Sequence, residues 1–312
     1  MIPTFNCAHY LGETLASVLD QDPGPAHMQI EVVDDCSTKD NPEAVVRKLS
    51  PNGRVTFHRR SVNGGVVANF NTCVSRSRGH LVHLLHGDDQ VLPCFYKAVE
   101  QLAKHHPSAP LFTTRALIID ETGVVSSVSP LVPAKGPLEL TDDYFYINPF
   151  LTPTVVVRRS FYENHGGYNS AFSHVADWEM WLRALKNGGA VATPQILAAY
   201  RFFQANDTAR LIRTADNLKE YLQLFIREAK ERPSLDIRRM RIHLGSAAFS
   251  QASRFLSPED HDAYVANRRF YWRMLGRPAG FVDLLGRKLS RNLFSLALSL
   301  VPTRTPDTVS KH

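Results

Sequence analysis

Hydrophobic and polar positions follow a regular pattern over the first 110 residues. Apolar residues at helical spacing predict helices around residues 11–19, 43–49, 69–77 and 95–105. Short apolar runs between them predict strands around residues 30–33, 55–58 and 81–85. Strands that alternate with helices are typical of a mostly parallel sheet with helices on both faces. The sequence therefore predicts an α/β fold for this part of the chain.

The pattern changes after residue 110. Strands are predicted over residues 111–120, 124–128 and 154–158, with a polar loop at 130–141 and a compact amphipathic helix around 178–185. After Tyr200 the chain becomes helical and basic, with helices predicted around 218–229, 238–255 and 258–275. This change predicts a main domain of residues 1–203 and a helical extension of residues 204–312.

A long apolar stripe lies near the C-terminus. It is formed by Val282, Leu285, Leu289, Leu293, Leu296 and Leu300. The cations Arg287, Lys288 and Arg291 lie between these residues and argue against a membrane-spanning helix. Two interpretations stay open, namely a helix packed on the main domain and a basic amphipathic helix lying in the plane of a membrane.

Charge is unevenly distributed along the chain, whose formal net charge is +6. Residues 1–200 hold 16 Lys and Arg against 19 Asp and Glu, whereas residues 201–312 hold 20 against 11. The basic region carries no recognisable nucleic-acid-binding motif. Its charge favours an anionic membrane surface or an acidic acceptor as partner, and no nucleic acid.

The four cysteines lack metal-ligand spacing, which indicates reduced thiols in a cytoplasmic protein. The chain begins on Ile2-Pro3-Thr4 without a signal-peptide pattern, so either the first strand is very short or the natural start lies upstream. We expect a cytoplasmic location, with a peripheral position at the inner face of the plasma membrane if the C-terminal stripe binds lipid.

Two predicted strands end in paired carboxylates. Asp34-Asp35 follows one strand, and Asp88-Asp89 follows the strand that ends in Leu84-Leu85-His86-Gly87. Ligands of open parallel sheets collect at the carboxyl ends of the strands, so the two pairs are expected to face one site. Carboxylate oxygens suit Mg²⁺ or Mn²⁺ and a phosphate-bearing ligand. Asp also starts turns and caps helices, but two such pairs at two strand ends favour a functional site.

The ordered motifs resemble the family-2 inverting glycosyltransferases. Residues 1–6, 11–21 and 32–38 are similar to the opening of that family, and residues 63–71 to the stretch before its metal motif. His86-Gly87-Asp88-Asp89-Gln90-Val91-Leu92-Pro93 is similar to the metal motif itself, and residues 166–168 and 176–183 resemble the acceptor block. The resemblance implies a GT-A fold with a Rossmann-like sheet, a nucleotide-sugar half at about residues 1–110 and an acceptor half at about 111–203.

The resemblance also implies a divalent cation, Mn²⁺ or Mg²⁺, and a nucleotide-diphosphate sugar donor. Asp89 is expected to be the direct metal ligand, and Asp88 to contact the ribose or the metal. The family often has an acid where this chain has His86. Further donor contacts are expected from Pro3, Thr4, Asn6, Asp34, Asp35, Asn71 and Arg201. A family histidine that often follows the arginine is replaced here by Phe202-Phe203.

Asp177 corresponds to the catalytic acid of the family. The resemblance implies that it acts as the base that deprotonates the acceptor hydroxyl. Asp177 also opens a predicted helix, where the helix dipole favours an acid for structural reasons. The family commonly has Glu at the preceding position, which is Ala176 here. Trp178 and Trp181 are expected either to stack on a sugar ring or to pack in the core.

The implied function is transfer of a sugar to a glycan or lipid-linked acceptor in cell-envelope or exopolysaccharide synthesis. A non-catalytic nucleotide-sugar-binding module stays open because of Ala176 and His86. A nucleotidyltransferase would normally show a Gly-rich phosphate loop near the N-terminus, and a dinucleotide oxidoreductase a Gly-x-Gly-x-x-Gly turn. Neither pattern occurs after the first strand.

Overall fold

A computed structural model describes residues 1–130, 136–148, 150–203 and 207–276. The chain divides into two compact units. The first comprises Met1–Tyr144 and Asn148–Phe203, and the second comprises Phe145–Ile147 and Gln204–His312.

The first unit begins with alternating strands and helices. These are β1 (Ile2–Thr4), α1 (Ala8–Leu19), β2 (Glu31–Asp34), α2 (Pro42–Leu49), β3 (Thr56–Arg59), α3 (Val66–Arg76), β4 (Leu81–His83), β5 (Gln90–Val91) and α4 (Phe95–His105). β1, β2 and β3 form a parallel sheet in that order. The other side of β1 accepts two 3.1 Å backbone bonds, from Leu85 N to Met1 O and from Gly87 N to Pro3 O. β1 therefore lies between β2 and the segment that leads into the Asp88-Asp89 turn.

Local sequence signals account for these helices. Leu11, Leu15 and Val18 recur at helical spacing in α1, and all three are buried. At the start of α2, Asn41 accepts a 3.1 Å hydrogen bond from Ala44 N, and Pro42 occupies the first turn. The buried face of α1 packs in one hydrophobic cluster with residues of β1, β2 and α4. This cluster supports the sheet edge where the paired acids lie.

A second sheet completes the first unit. Its remaining elements are β6 (Leu111–Ile119), β7 (Val125–Val128), β8 (Gly136–Leu138), β9 (Val155–Arg158), α5 (Arg159–His165), α6 (Ala176–Lys186) and β10 (Ala190–Arg201). The strand order is β4-β9-β6-β10-β5, with β7 paired to β6 and β8 to β10. Among the described strands of this sheet, β6 and β10 pair in parallel and the other pairings are antiparallel. The α/β prediction is confirmed, and the sheet of β1 to β3 is parallel, whereas this second sheet is mixed.

The longest strand, β10, positions one end of the site. It runs parallel to β6 and is irregular between Ala192 and Ala198. Its second half also pairs with β5, with Ala198 opposite Val91. Because β5 starts directly after Asp89, this pairing carries Arg201 to the Asp88-Asp89 turn.

The described residues of the second unit are mainly helical. The helices are α7 (Asp207–Thr214), α8 (Asp216–Glu231), α9 (Ile237–Ala252) and α10 (His261–Leu275). In α9, the buried Arg241 donates through Nε to Met274 O at 2.7 Å. The prediction of a C-terminal helical part is confirmed for these residues. Within the described chain, no helix has the length and apolar character needed to cross a bilayer. The predicted stripe over residues 281–301 lies outside the described residues.

Candidate functional site

The first acid pair lies at the end of β2 and is enclosed by protein partners. Asp34 is fully buried, accepts a hydrogen bond from Ser37 N at 3.2 Å and lies 3.3 Å from Arg59 Nε. Asp35 is also buried and forms an ion pair with Arg60. Its carboxylate further accepts hydrogen bonds from the amides of Gly64 and Gly65 at 3.1 and 2.9 Å. Asp34 therefore holds the turn that follows β2, and Asp35 holds the loop that precedes α3. The predicted donor contacts of both acids stay predictions.

The end of β1 joins the two acid pairs. Pro3 O accepts from Gly87 N, and Thr4 O accepts a 2.9 Å hydrogen bond from Asp35 N. Asn6 has a positive φ of 50°, and its Oδ1 accepts from the amides of residues 38 and 39 at 2.9 and 3.0 Å. These contacts place Pro3, Thr4 and Asn6 between the ends of β2 and the Asp88-Asp89 turn.

Sequence reasoning missed Phe5, which lies in this same turn. Its side chain is 46% exposed, although large aromatic residues are normally buried. An aromatic residue between Thr4 and Asn6, in the turn after a strand, was the available signal. An exposed ring at this edge of the sheet offers a flat surface for a planar ligand group.

The second acid pair forms a candidate metal centre with His86. One possible ligand atom from each of His86, Asp88 and Asp89 lies within 4.8 Å of the others. Asp89 is 1% exposed, and its Oδ1 accepts a 2.9 Å hydrogen bond from Arg201 N. Its Oδ2 is buried without a hydrogen-bond partner, and so is Nε2 of His86. Such orphaned buried polar atoms are rare in native proteins, and together with this ligand set they fit a divalent cation.

Burial sets the protonation of this cluster. Desolvation raises the pKa of Asp88 to about 6. Burial, followed by the nearby charge of Asp88, raises the pKa of Asp89 well above its usual range. Burial lowers the pKa of His86 to about 4, so the imidazole is neutral at pH 7. A bound cation would favour the ionised form of both carboxyls. The two carboxylates and the neutral imidazole could then act as its ligands.

Arg201 holds the turn formed by residues 86–89, which we call the metal turn. Its side chain is 1% exposed, and its Nε donates to Asp88 O at 3.0 Å. Nη1 donates to Asp120 O at 3.1 Å, and Nη2 donates to Glu13 Oε2 at 2.6 Å. The guanidinium also lies 4.5 Å from the centre of the Tyr10 ring. These partners occupy N–H groups of Arg201, which the sequence predicts to contact the nucleotide-sugar donor.

Asn71 connects α3 to the acceptor block. Its Nδ2 donates to Tyr168 O at 2.9 Å, and its Oδ1 accepts from Tyr168 N at 2.7 Å. A Cβ at Gly167 would collide with this amide, so a larger residue there would displace Asn71 from Tyr168. Asn71 also lines a cavity of about 570 Å³. The hydroxyl-bearing residues of that cavity are Thr72, Ser75, Ser170 and Ser173.

Asp177 lies in the first turn of α6 and is half-buried. Its Oδ2 accepts a 3.2 Å hydrogen bond from Thr152 Oγ1, and its Oδ1 accepts from Trp178 N at 2.6 Å. Burial raises the pKa of Asp177 to about 6, although these hydrogen bonds oppose the shift. Two hydrogen bonds therefore hold the Asp177 carboxylate, which can take up a proton near neutral pH.

The two tryptophans of α6 are core residues. Trp178 and Trp181 are each 1% exposed, and Trp178 Nε1 donates to Tyr144 O at 2.8 Å. The alternative that one of them stacks on a sugar is therefore wrong for this structure, since neither ring presents a face to solvent. Glu179 and Arg183 lie one turn apart in the same helix and form an ion pair at 3.1 Å.

A row of aromatic rings links the metal turn to α6. His86 stacks on Phe70 with ring centres 5.1 Å apart. Phe70 contacts Tyr168 edge to face at 5.1 Å, and Tyr168 contacts Trp181 at 6.4 Å. Burial raises the pKa of Tyr168, and the charge of Asp177 adds to this shift. The ring row therefore holds the Asp177 helix and the metal turn as parts of one packed unit.

Comparison with known proteins shows which family this chain resembles. Residues 1–165 match the profile described as Glycosyl transferase family 2. Uncharacterized protein MT1568 of Mycobacterium tuberculosis (strain CDC 1551 / Oshkosh) is 26% identical over 229 residues, or 70% of each protein. Chondroitin synthase of Pasteurella multocida (strain Pm70) is 26% identical over 127 residues, which are 40% of this chain and 13% of that protein.

Solved structures share the fold at low sequence identity. S. aureus TarS 1-349 in complex with UDP-GlcNAc has a TM-score of 0.56 and 17% identity, with 88% of each chain covered. The mannosyltransferase PcManGT of Pyrobaculum calidifontis, in complex with GDP-Man and Mn²⁺, has a TM-score of 0.57 and 15% identity, covering 96% of this chain and 84% of that one. These likenesses confirm the expected GT-A fold. Because the family profile matches more than half of its residues, the chain belongs to glycosyl transferase family 2.

Proposed function

We propose that this protein is an inverting, metal-dependent glycosyltransferase that moves a sugar from a nucleotide-diphosphate sugar to an acceptor hydroxyl. One observation carries the proposal, namely the buried, unpartnered Oδ2 of Asp89 in a turn shared with Asp88 and His86. A buried carboxylate oxygen without a partner is costly unless a ligand satisfies it.

Asp89 and Asp88 would hold the cation. When bound, it neutralises the diphosphate oxygens of the leaving nucleotide. Support comes from the raised pKa values of both acids and from the buried setting of Asp89. The bracing hydrogen bonds from Arg201 to this turn keep the two carboxylates in place before the donor arrives.

Asp177 is the base. It takes the proton of the acceptor hydroxyl while the acceptor oxygen bonds to the anomeric carbon. The bond from that carbon to the diphosphate oxygen breaks at the same time, and its electron pair leaves with the nucleotide. An acid retained only for the helix dipole would have a lowered pKa, whereas burial raises the pKa of Asp177 to about 6. A single displacement inverts the configuration of the sugar.

The donor base and ribose bind beside the end of β1. Exposed Phe5 supplies a stacking surface for the base, and the backbone around it supplies polar contacts. Pro3, Thr4, Asn6, Asp34, Asp35 and Asn71 build the walls of this region. TarS was solved with UDP-GlcNAc and PcManGT with GDP-Man, so UDP-sugars and GDP-sugars are the donors to test first.

The acceptor is a glycan or lipid-linked saccharide of the cell envelope or of an exopolysaccharide. The cavity beside Asn71 supports this, since its hydroxyl-bearing lining suits a neutral saccharide. The positive charge of residues 201–312 supports work at the inner, anionic face of a membrane.

The test measures donor hydrolysis first and transfer second. The full chain is incubated with a panel of UDP-sugars and GDP-sugars, with and without Mn²⁺, and the released nucleoside diphosphate is measured. We expect Mn²⁺-dependent release from at least one donor. Proton NMR of the first product then reports the anomeric configuration, which should be inverted.

Asp89→Asn should abolish the Mn²⁺-dependent release, because it removes a charged ligand oxygen. Asp20→Asn is the matched control, since Asp20 is exposed at the end of α1 and should leave release unchanged. Donor binding without hydrolysis or transfer would favour the non-catalytic binding module. A product of retained configuration would exclude the inverting mechanism.

A further inference from the structure

His86 holds its ring in a fixed position against the acid pair. The ring stacks on Phe70 at an interplanar angle of 21°. Its Nδ1 lies 3.6 Å from Asp89 Oδ2, which is too long for a hydrogen bond. The same distance is shorter than two metal–ligand bonds of about 2.0–2.2 Å placed end to end. One ion can therefore contact both atoms.

The polar atoms of this pair have few other partners. Asp89 Oδ2 and His86 Nε2 are both buried without a hydrogen bond among the described residues. The side chain of Asp89 is 1% exposed, so bulk solvent hardly reaches its free oxygen. An imidazole next to an orphaned carboxylate oxygen is a mixed nitrogen and oxygen ligand set.

We propose that His86 is a direct nitrogen ligand of the cation, and that it makes this site select Mn²⁺ over Mg²⁺. Mg²⁺ prefers oxygen ligands in octahedral geometry, whereas imidazole nitrogen favours first-row transition ions. His86, which stands where the family often has an acid, thus determines the metal specificity of the site. The inference rests on the proposed function, since it concerns the same cation.

The first measurement uses wild-type protein and Mn²⁺ alone, and then Mn²⁺ with UDP or GDP. Pulsed electron paramagnetic resonance detects nitrogen bound directly to Mn²⁺. We expect a ¹⁴N coupling that is lost in His86→Asp. His80→Asp is the matched control, because His80 is an exposed histidine six residues earlier and should keep the coupling.

The second measurement compares dissociation constants by calorimetry. His86→Asp gives the turn an oxygen ligand, so the ratio of the Mg²⁺ to the Mn²⁺ dissociation constant should fall about tenfold or more. His86→Asn keeps a polar side chain without an imidazole and should weaken Mn²⁺ binding by about the same factor. Circular dichroism and melting temperature establish that each variant folds, and the wild-type nitrogen coupling needs no variant.

The outcomes distinguish failure of the His86 inference from failure of the proposed metal-dependent function. If Asp89→Asn abolishes Mn²⁺ binding but the wild type shows no nitrogen coupling, the His86 inference is overturned and the metal site stands. An unchanged Mg²⁺ to Mn²⁺ ratio in a folded His86→Asp variant also overturns it. If the wild type binds no Mn²⁺ with or without UDP or GDP, the metal-dependent function itself fails.

Discussion

The acids at the sheet edge differ in the groups that compensate their charge. Asp34 and Asp35 are buried beside Arg59 and Arg60, so protein cations compensate their charge. Within the described residues, Asp88, Asp89 and Asp177 form no ion pair with Lys or Arg, and Asp89 lies 3.6 Å from the neutral His86. The nearby charge of Arg201 only partly opposes the upward pKa shifts of Asp88 and Asp89. Burial raises the pKa of an acid that no ion pair compensates, and a bound cation can compensate its charge instead. This difference in charge compensation supports the proposed reactive roles of Asp88, Asp89 and Asp177.

The pH dependence of transfer should follow Asp177. Its pKa is raised to about 6, so the base is ionised above that pH and protonated below it. We expect log kcat/KM to fall with unit slope as pH drops below about 6 at saturating Mn²⁺. Thr152→Val removes a hydrogen bond that lowers the pKa of Asp177, so the fall should move to higher pH. A profile that stays flat down to pH 5 would contradict this assignment.

Asp177→Asn should separate binding from chemistry. The amide keeps the shape of the side chain but cannot take a proton, so transfer should fall by a factor on the order of 10² or more. Donor affinity and melting temperature should be retained, as measured by calorimetry and thermal unfolding. A joint loss of folding and donor binding would instead favour the structural role at the start of α6.

At the scale of elements, the predicted and observed structures differ most at β10. Residues 190–201 were not predicted as a strand because Thr193-Pro194-Gln195 interrupts the apolar pattern. The chain accommodates the proline at an irregularity in the pairing with β6. Helix α4 has the predicted bounds, since its heptad-like pattern is uninterrupted. The Asp motifs were readable from local sequence, whereas the partners of Arg201 come from residues far apart in the chain.

Arg201 should behave as a brace of the metal turn. Arg201→Lys cannot reach Asp88 O, Asp120 O and Glu13 together, so Mn²⁺ affinity should fall about 10-fold or more and the melting temperature should drop. Glu13→Gln removes a pair whose acid is 59% exposed and should cost about 1 kcal/mol or less. Calorimetry with Mn²⁺ and thermal unfolding test both.

A different result would restore the role expected from the sequence. If Arg201→Lys kept its melting temperature and Mn²⁺ affinity but lost affinity for UDP or GDP, contact with the diphosphate would be the better account. The two roles are thus separated by which ligand loses affinity.

At the scale of the whole molecule, the basic C-terminal part predicts salt-sensitive binding to anionic lipid. Arg287, Lys288 and Arg291 should contribute about 1 kcal/mol each near such a surface, or about 100-fold in binding together. Replacing these three by Ala should abolish co-sedimentation with anionic vesicles. Replacing the exposed Lys39, Lys48 and Lys97 should have little effect. Equal and negligible binding of the wild type to anionic and neutral vesicles would leave the packing interpretation.

The stacked pair of Phe70 and His86 has a consequence for how such sequences diverge. The flat face of Phe70 is covered by an imidazole, and its edge meets Tyr168. A chain that acquires an acid at position 86 loses that stacking partner. The face of an aromatic ring at position 70 would then lie against a charged carboxylate. We therefore expect the two positions to covary among relatives, with an aromatic residue at 70 inherited together with histidine at 86. A substitution at position 86 that alters metal preference is then expected to be accompanied by a second, compensating change at position 70.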